Sequence, residues 1–391
     1  MRFTSAVLCF GFCAGVLFTA AAPVLAGPTK FVPSVAVREE YRDNVLFSYT
    51  NEKDDFITLL KGGLALEHRG ETTTANLSGR LNQSWYQDND ALDGLNKYVS
   101  GDIQSRVSER LTLGSSASWK NEELRGDDAE GSGFVLTGDK ESINAGVNGS
   151  LMVSEISQIS TSVSYGTTDL EDTDELEETE FISANLQFSK NLSEYFDRTT
   201  GLLSLSYQQY SSENQNPAGT TFQDYDTDIW QLTVGFSRQI TELYSYSIQA
   251  GLGYSDTEET QTIRSGAASA TTVYDDDSFN GVLSASLDYA GETTDASLTV
   301  SHDVRGGTGT SGATERSSVG LGLTRRLTEH LSLTLDTSWY WNRNERNTAT
   351  DTDEMTVNIS PGFQWNMGYD FMLRGGYRYT WIDDREGSTS K

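Results

Sequence analysis

Residues 331–341 read Leu331-Ser332-Leu333-Thr334-Leu335-Asp336-Thr337-Ser338-Trp339-Tyr340-Trp341. Leu331, Leu333, Leu335, Trp339 and Trp341 share one parity with Thr337, while Ser332, Thr334, Asp336, Ser338 and Tyr340 take the other. Successive side chains of a strand point to opposite sides of the pleat, so this alternation predicts a strand with one apolar and one polar face. The pattern spreads outward from this stretch. Trp230, Leu232, Val234 and Phe236 alternate with Gln231, Thr233, Gly235 and Ser237, and Ile182, Ala184, Leu186 and Phe188 alternate with Ser183, Asn185, Gln187 and Ser189. No helical stripe at i, i+3, i+4 competes with it.

The polar parity decides which kind of β structure this is. A soluble sandwich shows water a face rich in Lys, Glu and Arg. Here that face is mostly Ser, Thr, Asn, Gln and Gly, small uncharged groups suited to a crowded or water-filled interior. The other face carries Leu, Val, Ile and Ala in mid-strand, with Tyr and Trp gathered near one end. An apolar band edged by aromatics around a polar lumen is the pattern of a transmembrane β-barrel.

Composition alone points elsewhere. The 391 residues include 57 acidic and 28 basic side chains, a net charge of −29, with 36% hydrophobic residues. Those totals suit a soluble or disordered acidic chain, and they disfavour a nucleic-acid partner, which needs basic stripes. Residues 1–26 carry Arg2, an apolar run from Ala6 to Ala22 and the small-residue ending Val24-Leu25-Ala26, which reads as a secretory signal peptide cleaved after Ala26. Without Arg2 the mature segment 27–391 has 27 basic residues against 57 acidic ones, a net charge of −30. Cys9 and Cys13 leave with the leader, so no disulfide framework holds the rest. Past Ala26 no stretch approaches the roughly 20 apolar residues of a membrane-spanning helix.

Alternation predicts seventeen strands, from 31–41 to 369–382, as one antiparallel up-and-down barrel. The class is about 16–18 strands, with a final strand expected to be missing because bacterial barrels use even numbers. Links alternate long and short. Short ones repeat a local signature, as in Val107-Ser108-Glu109-Arg110-Leu111, Ile240-Thr241-Glu242-Leu243-Tyr244 and Leu327-Thr328-Glu329-His330-Leu331, where Ser or Thr can bond its own backbone in a tight turn. Long links are acidic: Asp169 to Glu178 is the densest, continued by Glu258-Glu259 and Asp275-Asp276-Asp277. Short turns are periplasmic in such barrels, which would put the long acidic loops outside a Gram-negative cell.

Aromatic residues are expected at the headgroup level: Trp85, Trp119, Tyr165, Tyr210, Tyr254, Trp339, Trp341, Tyr379 and Trp381. Charges of inward parity, Lys61, Arg80, Asp102, Arg106, Asp336, Arg374 and Arg378, are candidate lumen-lining groups, either pairing to fill and stiffen the lumen or forming a selectivity strip in which Arg374 and Arg378 steer anionic or sugar-acid solutes.

A resemblance rests on two segments. Arg38-Glu39-Glu40-Tyr41-Arg42-Asp43-Asn44-Val45-Leu46, then Asp55-Phe56-Ile57-Thr58 running on to Glu67, resemble the opening of porin-like outer-membrane β-barrels associated with exopolysaccharide and exosortase (PEP-CTERM) gene clusters. That family commonly continues into Pro-Gly-Leu, where this chain has Lys61-Gly62-Gly63-Leu64, with a similar step at Ser360-Pro361-Gly362-Phe363. The resemblance implies an outer-membrane barrel serving envelope polysaccharide export, and brings no catalytic residues.

The three histidines, His68, His302 and His330, are far apart in sequence and read as interfacial or solvated rather than metal-ligating or catalytic. Ser301-His302-Asp303 alternates faces, so it assembles no triad. The acidic links lack an Asp-x-Asp-x-Asp-Gly calcium loop. No cofactor, metal or enzymatic activity is therefore expected. The expected partners are outer-membrane lipid and lipopolysaccharide, the barrel-insertion machinery and polysaccharide-export components. Two functions remain open: porin-like passage of polar solutes or exopolysaccharide, or a non-conducting surface barrel binding envelope partners or polymer through acidic loops. Amino-terminal sequencing of the exported protein is expected to begin at Gly27; a chain that keeps residues 1–26 would overturn the leader.

Overall fold

The computed structural model describes residues 27–45, 53–125, 137–171, 176–215, 220–265, 268–306, 314–344, 352–367 and 372–384. The expected leader, residues 172–175 of the acidic link and the turn at 368–370 lie outside the described residues. Eighteen strand segments follow one another: β1 (Thr29–Arg42), β2 (Asp55–Arg69), β3 (Thr73–Tyr86), β4 (Gly94–Arg106), β5 (Leu111–Arg125), β6 (Thr137–Ser154), β7 (Ser157–Glu171), β8 (Leu176–Asn191), β9 (Thr199–Gln215), β10 (Thr221–Gln239), β11 (Tyr244–Ser265), β12 (Ala268–Ala290), β13 (Thr294–Arg305), β14 (Thr314–Arg326), β15 (Leu331–Asn344), β16 (Thr352–Asn366), β17 (Met372–Gly376) and β18 (Tyr379–Asp384). From β1 to β16 each pairs antiparallel with the next. The architecture is an all-β up-and-down sheet with no α-helix among the described residues.

The last two segments share one place in the sheet. Both pair with β16 in a single register, Gly376 opposite Gly362 and Tyr379 opposite Ile359. Pro361 accounts for the break between them: Tyr377 N–H donates to the Pro361 carbonyl at 2.9 Å, but proline has no N–H to return the bond. The sheet therefore has seventeen strand places. No ladder joins β1 to β17 or β18 among the described residues.

Exposure separates the two faces. Val35, Val234, Leu252 and Phe279 are 79%, 64%, 68% and 76% exposed, and most strands show Leu, Val, Ile, Phe or Trp on the same side. A continuous apolar exterior of this kind suits contact with hydrocarbon rather than water. The opposite face is laced by cross-strand hydroxyl and amide bonds, including Ser164–Ser183 (2.6 Å), Ser301–Ser318 (2.7 Å), Ser78–Ser100 (2.8 Å) and Asn185 Nδ2 to Ser204 (3.1 Å). Ser301 and His302 bond different neighbours, Ser318 and Ser317, as their opposite faces require.

At the short turns, Leu243 and Tyr244 N–H donate to Thr241 Oγ1 (3.2 and 3.1 Å), His330 and Leu331 N–H to Thr328 Oγ1 (3.2 and 3.0 Å), and Arg110 and Leu111 N–H to Ser108 Oγ (3.3 and 3.1 Å). The repeated Ser/Thr is thus an internal acceptor that closes each turn.

Three expectations are corrected. The acidic links are shorter than expected: β10 begins at Thr221, β11 runs to Ser265 and β12 begins at Ala268, so Glu258, Glu259 and Asp275 to Asp277 stand in a hairpin ladder rather than a loop, and Asp169 to Glu171 pair with Leu176 to Glu178 in the same way. The Thr-rich stretches 257–262 and 271–273 have enough β propensity to continue pairing beyond the apolar band. Tyr210 is 2% exposed and lies on the inner face, because its Cα partner Thr227 has inner parity. His68 is buried rather than solvated: β1 covers it, with Nδ1 3.1 Å from Thr29 Oγ1.

Replacing Thr241 and Thr328 together by Ala leaves four backbone N–H groups without their acceptor, and is expected to cost about 0.5–1.5 kcal/mol per turn. Urea unfolding of the refolded protein measures this; unchanged stability would mean the hydroxyls do not hold the turns.

Candidate functional site

Inner parity gathers one group of charges where the sheet's two edges face each other. On β1, Arg38, Glu40 and Arg42 point inward opposite Leu59, Ile57 and Asp55 of β2. Glu40 accepts from Arg38 Nη2 at 2.9 Å and from Arg42 Nε at 2.7 Å. Arg378, in the break between β17 and β18, lies within electrostatic reach of Glu40, which brings the last strand place up to the first.

Lys61 stands opposite Ala36 and Asn82. The Arg80 guanidinium lies 4.3 Å from the Tyr98 ring centroid, Arg374 Nε donates to Gln364 Oε1 at 3.1 Å, and Asp102 accepts from Asn76. Asp336 sits opposite Gly322 and Ser360, the latter in register with Arg378, and Arg106 sits opposite Thr112, away from that group. Lys61, Arg80, Arg374 and Arg378 thus belong to neighbouring strand places along one seam wall, and Asp336 lies at its edge, two strand places from Arg378 on the same rung.

Trp85, Trp119, Tyr165, Tyr254, Trp339, Trp341, Tyr379 and Trp381 fall in the outward rows, with Trp339 and Trp381 flanking Val357. Polar tips of this band end on carboxylates just beyond it: Trp119 Nε1 donates to Glu141, Trp341 Nε1 to Asp353 (both 2.8 Å), and Tyr207 to Asp228 (2.6 Å).

Beyond the band, β2 and β3 are tied by a buried carboxylate. Asp55, 1% exposed, accepts the backbone N–H groups of Gln87 (2.9 Å), Asp88 (3.1 Å) and Asn89 (2.9 Å) and the Asn89 amide (2.8 Å). Burial pushes its carboxyl up, but these hydrogen bonds outweigh it and hold the pKa below the ordinary value. Beneath it Val45, Ile57 and Tyr86 pack with Leu59 and Leu92 on the inner side.

A second feature narrows the interior from the far side. The β12–β13 ladder ends at Leu283 opposite His302, although β12 runs on to Ala268 and β13 to Arg305. The released end of β13 reaches the inner face of β10, where Gln231 Nε2 donates to the Val304 carbonyl at 2.9 Å across 73 residues of chain. Gly306 follows so closely on β9 that a Cβ there would stand 2.5 Å from the Tyr210 ring, so only glycine fits. Tyr210 and Ile229, both of inner parity, and Val304, whose parity on β13 is that of His302, are buried where the β13 end meets β9 and β10.

A family profile described as Protein of unknown function (DUF1302) matches residues 142–363, more than half of the chain. The chain belongs to this family. The matched part of the DUF1302 chain runs from β6 to β16 and leaves the seam wall outside it. A search of the curated proteins gave no match. Solved structures with a similar fold include the ferric-catecholate import receptor Fiu of E. coli K12 (TM-score 0.53, 11% identity, 93% of this chain and 66% of that one). The ferric yersiniabactin uptake receptor FyuA of Yersinia pestis is another (0.50, 8%, 92% and 62%). The copper transporter OprC is a third (0.50, 10%, 92% and 64%). At such identities the likeness is one of fold, and the DUF1302 chain spans less than two thirds of each of these proteins.

Reading the DUF1302 sequence missed Asp55, Gln231 and Tyr210 as site residues. Asp55 lay in the quoted motif, and its inward parity beside Ile57 was a usable signal. Gln231 was one polar residue among many, and nothing local shows that a strand 73 residues away will reach it.

Acid should act on the outer rim of the DUF1302 protein in two stages. Burial, then Glu141 and Glu180, push Asp169 up, and burial, then Glu213 and Asp226, push Asp224 up. Both therefore take up protons above the ordinary carboxylate range, which relieves repulsion in the outer ends of β7–β10. The Asp55 contribution is fully present at neutral pH and is lost as pH falls through its lowered value. Intrinsic-rate-corrected hydrogen-exchange protection should first rise around 224–228 on acidification and then fall at 87–89. Asp55→Asn should remove the second stage; simultaneous loss at both places would refute the assignment.

Proposed function

We propose that this protein is an outer-membrane β-barrel that passes polar solutes through its lumen. The observation that carries the proposal is the division of the sheet into an apolar exterior and an interior lined by Ser, Thr, Asn and Gln bonded across strands. An apolar exterior fits hydrocarbon, while hydroxyl and amide rows offer solutes hydrogen bonds in place of those they leave in water. Structures of similar fold bear the names of transporters and import receptors, which agrees with this reading. Lipid and lipopolysaccharide would then surround the barrel, the insertion machinery would assemble it, and its long acidic connections would lie outside the cell. The resemblance of residues 38–67 to barrels of exopolysaccharide clusters makes an envelope polysaccharide, with its export components, one candidate for the cargo and its partners.

A non-conducting surface barrel that binds envelope partners or polymer is the second reading. It is favoured by two outward carboxylate rows on β10–β12, Asp228–Asp256–Asp277 and Asp226–Glu258–Asp275, where like charges stand directly opposite each other. Rows of this kind cost stability unless a countercharge meets them.

Planar-bilayer recording of the refolded protein separates the two. Stepwise conductance is expected, and Gly306→Ala, which disturbs the packing of the β13 end on Tyr210, should change its amplitude. A complete absence of current from correctly folded protein would favour the surface barrel.

A further inference from the structure

The inner wall at the seam has a charge opposite in sign to that of the whole chain, whose net charge is −29. At mid-height it carries Lys61, Arg80 and Arg374, with Arg38, Arg42 and Arg378 above them. Most carboxylates of this wall are engaged or stand away from its centre. Glu40 is ion-paired by Arg38 and Arg42, Asp55 is taken up by backbone N–H groups, Asp102 accepts from Asn76, Glu67 stands near the short-turn end of β2, and Asp336 lies at the wall's edge, on the rung of Arg378. Arg80 and Arg374 meet neutral partners, a tyrosine ring and a glutamine amide, so these contacts orient the guanidinium groups without neutralising them.

The opposite wall differs. Among the described residues, inward positions of β8 to β12 include no lysine or arginine, whereas Glu259, Asp276 and Asp288 have inward parity there. In an up-and-down sheet of seventeen places, β9 and β10 stand half the circuit from the seam. That far side is also the one on which the released end of β13 lies, through Gln231 and Tyr210. The contacts of that end are thus with the far wall, not with the basic one. Low-dielectric surroundings strengthen charges in such a passage, and their sign selects the ion that enters.

We propose that the seam wall is a binding track for carboxylate-bearing solutes, hexuronic acids and their oligomers, and that it makes the lumen anion-selective in a strongly acidic protein. The proposal deepens the passage reading and rests on it for the selectivity. Lys61 and Arg80 supply the central charges, and Arg374 prolongs the track along the last strand place.

The test uses the full chain refolded into planar bilayers under a KCl gradient. The reversal potential should show chloride several-fold more permeant than potassium. Lys61→Gln with Arg80→Gln should bring the ratio close to unity or below it, with folding checked by circular dichroism and heat-shifted gel mobility. Millimolar D-glucuronate should reduce the KCl current of the native protein, and D-glucose should not. Cation selectivity in the native protein, or an unchanged ratio in the double variant, would overturn the proposal while leaving passage intact. Calorimetric titration of the detergent-solubilised protein with tri-galacturonate tests the track without current. Binding that is lost in the double variant, with no conductance, would refute passage and keep the track; no binding and no selectivity would refute the track.

Discussion

Hydrocarbon offers a peptide group no hydrogen-bond partner, and each unsatisfied N–H or C=O there costs several kcal/mol. On the outer-membrane reading proposed above, the structure follows from that constraint. Strands that pair edge to edge satisfy the backbone wholly within the sheet, so side chains on one face are released to meet lipid while those on the other pair with each other or meet water. Ser and Thr rows inside and Leu and Val rows outside are two consequences of one ladder. The same constraint explains the weight carried by a single proline: Pro361 lacks one N–H, and the strand beside it breaks into β17 and β18. Its seam position sets Arg378 near Glu40.

Beyond the aromatic band water returns and the constraint relaxes, and the irregular features concentrate there. Asp55 can hold three backbone N–H groups in place of a ladder. The end of β13 can leave β12 and be capped by the Gln231 side chain. Carboxylates can stand opposite one another across β10, β11 and β12. Regular pairing thus builds the wall, while departures from it shape the mouth.

How far this could be read in advance varied with the range of the cause. Alternation in 331–341, 230–237 and 182–189 depends on adjacent residues, so faces and strand count were legible, including the seventeen places. Thr241 and Thr328 act within four residues of themselves, and their turns were legible too. Strand ends were not, because threonine-rich stretches beyond the apolar band keep pairing without any change in hydropathy to mark them. Tyr210 was misassigned because an aromatic near a strand end suits either a headgroup layer or an inner contact, and only the partner Thr227 shows which. The inward charges were readable one at a time. Their gathering on one wall was not, since it depends on β17 coming round to β1.

By itself the sequence determined the fold class, the face most strand residues take and the turn chemistry, because a period of two and a four-residue turn are local properties of the chain. The tertiary structure alone decided which charges share a wall, which strand end turns inward, and where the negative charge is set against a positive lumen face. Those depend on the closing curvature of the whole sheet, which brings together residues more than three hundred positions apart, such as Glu40 and Arg378.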